Sequence, residues 1–538
     1  MDSGYLYEPT GQRSLRSRFA SFCAAAALIL LLCTLFYLAS VAMLETVDMN
    51  LNNPALENVE TKADNYILNV LLLAASVGVC LLWIKLSDRI HHGFVTAACL
   101  IGVTVFGVCF ILSSQSAPTH DSQIVSNAAY LASKGDATGL SSVYFKRFPF
   151  QLGYVFYSEL LIRLFGTEDN YLSIEIANVV CLAITYLALL RSVRCLWGNG
   201  RAYKMTALLM LLCLPPVLFC SFTYGTIPGL MFSSVALWQV LAMRGKGADW
   251  LHGLAAAIAI GMGVAIKKNF TIVFIAIVIL LLLRLVRKFT LSGVACILLS
   301  LLSVWGIGTG VQQMYESRFD LSFGKGIPMT SWAAMGINEA YIAPGWYDAN
   351  YTVINFRESG MDTEEANRRS LETIRERVKE LQRDPDYTNR FFSEKTKSQW
   401  NEPSYQSIWT NQVRGQYGER GELAEWICGE GEYNVKGYMN LYQQMIYVMA
   451  AIGVLLLLKQ RRLEDVLIPT VIIGGFLYHF VCEAKSQYII PYLILMLPLA
   501  AYGLSGLMKG DRQSDTKSVS AFGVNFKLLM EYTLPKKN

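Results

Sequence analysis

The chain is a succession of long apolar runs broken by short polar turns, and no other feature constrains its fold as much. Crossing about 30 Å of hydrocarbon takes roughly 20 apolar residues in a helix. Lipid offers no partner to backbone N–H and C=O groups, so each run must satisfy its own by coiling. The runs lie near Phe19–Leu44, Ile67–Ile84, Val95–Leu112, Leu172–Leu190, Met205–Phe222, Pro228–Met243, Leu251–Ile266, Phe270–Leu285, Leu291–Val311, Tyr438–Leu458, Val466–Cys482 and Ile489–Leu507. They predict an all-α polytopic membrane protein of about twelve transmembrane helices, with juxtamembrane helices and one mostly helical extracytoplasmic cap. Composition agrees, since 53% of the 538 residues are hydrophobic and only 16% charged. The first run is too long, and has too many successors, to be a cleaved signal peptide.

The turns carry the topology. Arg13, Arg16 and Arg18 precede the first run, and later turns hold Arg191/Arg194/Arg201/Lys204, Arg244/Lys246, Arg284/Arg287/Lys288, Lys459/Arg461/Arg462 and Lys509/Arg512. Alternate counting puts all of these on one side, which the positive-inside rule makes the cytoplasm. Both termini are therefore expected in the cytoplasm of a cell-membrane protein. The counting requires that 148–165 does not cross. That segment is short and contains Glu159 and Arg163, so it reads as a juxtamembrane helix on the outer face. The expected division is a transmembrane region over 1–311 with an outer loop at 114–171, then a soluble extracytoplasmic region over 312–436. The last helices occupy 437–507 and a cytoplasmic tail 508–538.

Within the soluble region, Asp362-Thr363-Glu364-Glu365 has the pattern of a helix N-terminus. Leu371, Ile374, Val378 and Leu381 then recur at helical spacing up to Pro385. Several function classes fall away. The net charge of +5 is too small for a nucleic-acid binder. Nearly all of the twelve cysteines lie in apolar runs, Cys428 being the exception, so no disulfide framework is implied. There is no Cys/His set of metal-site spacing and no phosphate-binding glycine loop.

Chemistry concentrates between Pro118 and Gly153. His120-Asp121 lies a few residues beyond a membrane exit, and Lys146-Arg147 precedes Phe148-Pro149. A lone loop carboxylate is usually just solvated. A carboxylate near cations at a bilayer surface can also take a proton from an acceptor hydroxyl while the cations hold a leaving phosphate. Asp121 is the catalytic candidate, and His120 would tune it or bind phosphate. Lys267-Lys268 breaks the charge rule by lying in a tight outer turn, as a phosphate clamp would or as snorkelling lysines would. The last outer turn adds Glu483, Lys485 and Tyr488 between two spans, where ionisable groups are functional candidates. Alternation brings all of these stretches to one membrane face.

This pattern resembles the GT-C superfamily of polytopic glycosyltransferases, in its bacterial branch related to protein O-mannosyltransferases and the aminoarabinose lipid A transferase. Asp121 resembles the acid of the family's first large outer loop. Lys146-Arg147-Phe148-Pro149 resembles its basic-Pro juxtamembrane segment, which ends as Arg163-Leu164-Phe165-Gly166 does. Glu483 to Tyr488 resembles the final outer turn, with Gln487-Tyr488 where Arg-Tyr is common. The likeness covers roughly 95–310 and 438–507. Two spans precede the family's usual first one, and no second acid follows Asp121. A divalent metal thus has no residues here to support it, and no cofactor is implied with certainty.

The resemblance implies a polyprenyl-phosphate-linked sugar donor, outward-facing transfer, inversion at the anomeric carbon, and an extracytoplasmic glycan, lipid or protein as acceptor. Membrane lipid is the remaining partner, and nucleic acid is not one. A transporter or flippase is the competing expectation. It would use broken helices such as Leu214-Pro215-Pro216 and Gly225–Gly229. A non-catalytic assembly factor would make Asp121 dispensable.

Overall fold

The computed structural model describes residues 15–49, 57–166, 171–245, 247–460 and 462–508. The expected cytoplasmic tail beyond Met508, with Arg13, Lys246 and Arg461, lies outside the described residues. Helix α1 (Leu15–Leu44) leads into a hairpin in which β1 (Glu45–Met49) pairs antiparallel with β2 (Val59–Ala63), Glu45 opposite Ala63 and Met49 opposite Val59. The acidic loop is thus partly strand, which its polarity alone did not announce. Helices α2 (Tyr66–Ser87) and α3 (His92–Ser114) follow. Next come three short helices, α4 (His120–Ser133), α5 (Val143–Arg147) and α6 (Leu152–Phe165). At 14 residues α6 is about 21 Å long, too short to span.

The central bundle comprises α7 (Leu172–Trp197), α8 (Arg201–Leu212), α9 (Leu214–Leu218), α10 (Thr226–Ala242), α11 (Asp249–Ile266), α12 (Thr271–Arg287) and α13 (Leu291–Phe319). Among the described residues ten helices are long and apolar enough to cross a membrane. Helices α8 and α9 are long and apolar enough only as a pair, bent by 51° at their junction as a broken span or a re-entrant loop would be, and α10 is a shorter apolar helix. The bend has a local cause: Pro215 and Pro216 follow Leu214, and prolines cannot continue the hydrogen-bond ladder of α8.

The soluble stretch is helical. It holds α14 (Met329–Gly336), α15 (Val353–Glu358), α16 (Thr363–Arg383), α17 (Pro385–Trp400), α18 (Ser407–Val413) and α19 (Glu422–Glu425). Asp362 caps α16 by accepting from the N–H groups of Glu364 and Glu365 at 2.8 and 2.9 Å. The buried face of α16 keeps Leu381 of the expected apolar set but turns Val378 outward. Ala366, Ser370, Arg377 and Leu381 point inward, whereas Val378 is exposed, because Arg377 is drawn in to donate to the Ile337 carbonyl at 2.8 Å. Helices α20 (Glu432–Gln460), α21 (Leu467–Val481) and α22 (Ile490–Gly506) complete the chain.

One aromatic cluster docks the cap on the bundle, and a hydrogen bond within the cap holds its loop against α17. Trp400, fully buried, lies against Phe476 of α21 and Tyr492 of α22 with ring centroids 5.6 and 5.7 Å apart. Trp346 donates to Ser398 Oγ at 2.8 Å. At the opposite end of the bundle the basic turns meet one another. Arg201 pairs with Asp88 at 2.7 Å, Arg244 reaches the Cys195 carbonyl at 3.3 Å, and Arg284 lies 3.7 Å from Glu464. All twelve cysteines are free thiols, and Cys428 is buried beside Ile427 and Met439.

Candidate active site

The first wall of the site is the start of α4. Thr119 is extended, its N–H donates to Ser122 Oγ at 3.1 Å, and Ser122 donates back to the Thr119 carbonyl at 2.7 Å. That small ring places Asp121 in the first helical turn, where the helix dipole favours a carboxylate. His120 adopts φ 50°, the left-handed region that costs a non-glycine residue about 1–3 kcal/mol. The Asp121 side chain faces open water, yet from within a recess. Desolvation there raises its pKa against the pull of Lys485, His120, Tyr144 and Lys267. Tyr144 is buried behind it, its hydroxyl surrounded by Asp121, Tyr224 and Gln151. Gln151 in turn bonds the Tyr224 hydroxyl.

The second wall is the turn after α11. Two glycines let other backbones press against it: a Cβ on Gly153 would overlap the Ala265 carbonyl, and one on Gly225 would meet the Ile266 carbonyl at 2.7 Å. Lys267, in extended conformation, therefore emerges between aromatic rings. Its ammonium lies 4.5 Å from the Tyr224 centroid and 5.5 Å from that of Tyr488, cation–π distances. Burial pushes its pKa down to about 8, while Glu483 and Asp121 pull the other way.

The third wall is the turn between α21 and α22. Burial raises the Glu483 pKa to about 7, opposed by Lys485 and by the Tyr488 hydroxyl, which donates to Glu483 Oε2 at 3.2 Å. Burial works against the Lys485 charge, but an ion pair with Glu57 outweighs it and the pKa is raised. The turn is fastened to the cap. Ala484 N–H donates to the Gly345 carbonyl at 2.8 Å, Lys395 Nζ to the Cys482 carbonyl at 2.7 Å, and Ser486 to the buried Glu402 at 2.9 Å.

The structure thus brings Asp121, His120, Lys267, Glu483, Lys485 and Tyr488 together. Arg147 stands at the rim, where Tyr347 senses its charge together with those of Asp121 and Glu483. Two expected members do not join. Lys268 turns the other way, its ammonium beside Gly308 of α13, because successive residues of the tight turn point to opposite sides. Lys146 faces outward, and among the described residues no acid pairs with it. Sequence reading missed Glu57, Tyr144, Tyr224, Tyr347 and Lys395. Among the described residues no group of three or more His, Cys, Asp or Glu could hold a metal ion.

A family model described as a conserved hypothetical integral membrane protein matches residues 21–506. The chain belongs to this family. Its structure is also similar to that of ArnT from Cupriavidus metallidurans bound to undecaprenyl phosphate, at 11% sequence identity and a TM-score of 0.31, over 76% of this chain and 78% of that one. No curated protein matches the chain.

Proposed function

We propose that the chain is an integral-membrane glycosyltransferase, moving a sugar from a polyprenyl-phosphate donor to an acceptor hydroxyl with inversion. One observation supports this most: two carboxylates, Asp121 and Glu483, and two ammonium groups, Lys267 and Lys485, from three separate stretches converge in one recess at helix ends. Under the positive-inside rule the basic turns at the far end are cytoplasmic, so the recess faces outward.

The two lysines, with Arg147 at the rim, hold the donor phosphate at lipid headgroup level. The acceptor oxygen attacks the anomeric carbon on the face opposite the phosphate. As that C–O bond forms, the bond to the phosphate oxygen breaks and its electron pair leaves with the polyprenyl phosphate. Asp121 takes the hydroxyl proton. Lys267 and Lys485 stabilise the charge that grows on the leaving group. Glu483 keeps Lys267 protonated, since its negative charge raises that lysine's pKa.

The test is transfer by purified protein from a panel of polyprenyl-phosphate sugars, comparing wild type with Asp121→Asn. The asparagine keeps the shape but cannot accept a proton, so turnover should fall by about 10²–10⁴-fold with donor binding intact. Near-wild-type turnover in a folded variant would remove Asp121 from the chemistry. The bent helix pair at Leu214 is what a transporter would use. Movement of the lipid-linked sugar across proteoliposomes without transfer would favour that second reading.

A further inference from the structure

The α4 helix has a second concave side. A cavity of about 640 Å³ lies along the face that carries Gln123 and Asn127, and it is also lined by Thr138, Ser142, Tyr171 and Tyr417. Small-molecule sites typically enclose about 300–1,000 Å³. Elements far apart in sequence hold its walls. Gly139 packs so closely that a Cβ there would come within 2.8 Å of the Ala128 backbone, which fixes the loop carrying Thr138 and Ser142 against α4. The Tyr417 segment is clipped to the end of α3, with Ala117 N–H donating to Gly415 at 2.8 Å and Tyr417 N–H to Gln115 at 2.9 Å.

The chemistry of this lining is specific. Among the described residues no charged side chain lines it, although Asp121 is only two residues from Gln123. The amides of Gln123 and Asn127 are one helical turn apart, exposed, and make no hydrogen bond to a described residue. The Ser142 hydroxyl is buried without a partner. Two tyrosine rings and the aliphatic side chains of Ile124 and Leu131 supply apolar surface. Planar amides that both donate and accept, a free hydroxyl and flat apolar faces suit a ligand edged with hydroxyls and flat on its C–H faces. Among the described residues an anionic ligand would find no cation in this lining.

We infer that this cavity binds a neutral sugar ring and that the ring belongs to the acceptor. Calling it the acceptor's rests on the transferase reading above. Gln123 and Asp121 point to different sides of α4, but the cavity also reaches Ala117 and Pro118 at the N-terminal end of the helix, three residues before Asp121, so an acceptor seated here extends a hydroxyl toward the proposed base around that end, while the donor phosphate occupies the lysine side. The acceptor class is therefore a glycan or glycolipid headgroup presenting an uncharged sugar.

The experiment needs no turnover. Full-length protein in lipid nanodiscs is probed by saturation-transfer NMR with methyl α- and β-glycosides of neutral hexoses. Wild type and Asp121→Asn should bind, whereas the Gln123→Ala/Asn127→Ala double variant should bind roughly tenfold or more weakly, as losing two hydrogen bonds would give. Ser142→Ala, a smaller change in a fixed loop, should weaken binding in the same direction. No glycoside binding by wild type, or binding unaffected by both variants, overturns the inference. So does capture of a Gly-Ser peptide instead of sugars. Displacement of the glycoside by a polyprenyl-phosphate sugar would make the ring the donor's and overturn the acceptor assignment. Intact glycoside binding with no transfer from any donor strikes the transferase reading and leaves this site standing.

Discussion

Lys267 is the residue whose protonation should be visible in kinetics. Its folded pKa of about 8 lies below the ordinary lysine value of 10.5, so above pH 8 it loses the charge that would hold phosphate. The kcat/KM for donor, which reports the free protein, should fall as pH rises through that value. Lys267→Arg keeps the charge at any accessible pH and should abolish that alkaline limb. Glu483→Gln removes a negative neighbour that raises the Lys267 pKa, so the fall should begin at lower pH. An unchanged pH profile in both variants would detach Lys267 from donor binding. Its neighbours supply the contrast. Arg147→Ala should raise donor KM, while Lys268→Ala and Lys146→Ala should leave it unaltered, since neither ammonium faces the recess.

At the scale of elements, α4, α6 and α13 are tied by one buried carboxylate. Glu159 accepts from Tyr315 at 2.6 Å, Arg318 at 2.7 Å and Arg163 at 2.9 Å, and both arginines also reach the Ala132 carbonyl at the end of α4. Burial alone would raise the Glu159 pKa, but the tyrosine and arginine donors outweigh it and the value is lowered. A depressed carboxylate contributes stability above its unfolded value of about 4.5, and that contribution is lost as pH falls through the folded value. Glu159→Gln should therefore lower thermal stability by about 1–3 kcal/mol at neutral pH and by less in acid, read by thermal melts in detergent. An equal loss at pH 7 and at a pH below the folded value would assign the effect to packing instead. The acidic and basic residues within apolar contexts were legible in the sequence because such groups are rare there. Hence Glu159, Lys267, Glu483 and Lys485 stood out. Tyr144 and Tyr224 did not, being two of 28 tyrosines with nothing local to mark them. Glu57 was one acid among several in its loop, and only the tertiary pairing with Lys485 distinguishes it.

For the whole molecule the question is which way the recess faces. The apolar runs announced the ten long apolar helices among the described residues, because a bilayer leaves the backbone no alternative, but two of the twelve expected spans, Met205–Phe222 and Pro228–Met243, are a helix pair bent by 51° and a shorter apolar helix. The bend at Leu214 was legible from Pro215 and Pro216, whereas the inward turn of Arg377 arises from tertiary contacts that hydropathy does not encode. Sidedness follows from charge: the turns bearing Arg194, Arg201, Arg244, Arg284 and Arg462 gather at one end, and the recess lies at the other. Single cysteines at Gln123, exposed near the recess, and at Ala248, exposed at the basic end, test this directly. In a background lacking the exposed Cys33 and Cys109, an impermeant maleimide should label the cysteine of Gln123→Cys on intact cells. The cysteine of Ala248→Cys should react only after permeabilisation. The reverse pattern would turn the recess toward the cytoplasm. A transferase site there would have to draw on an inward-facing lipid-linked donor, and outward transfer would be refuted.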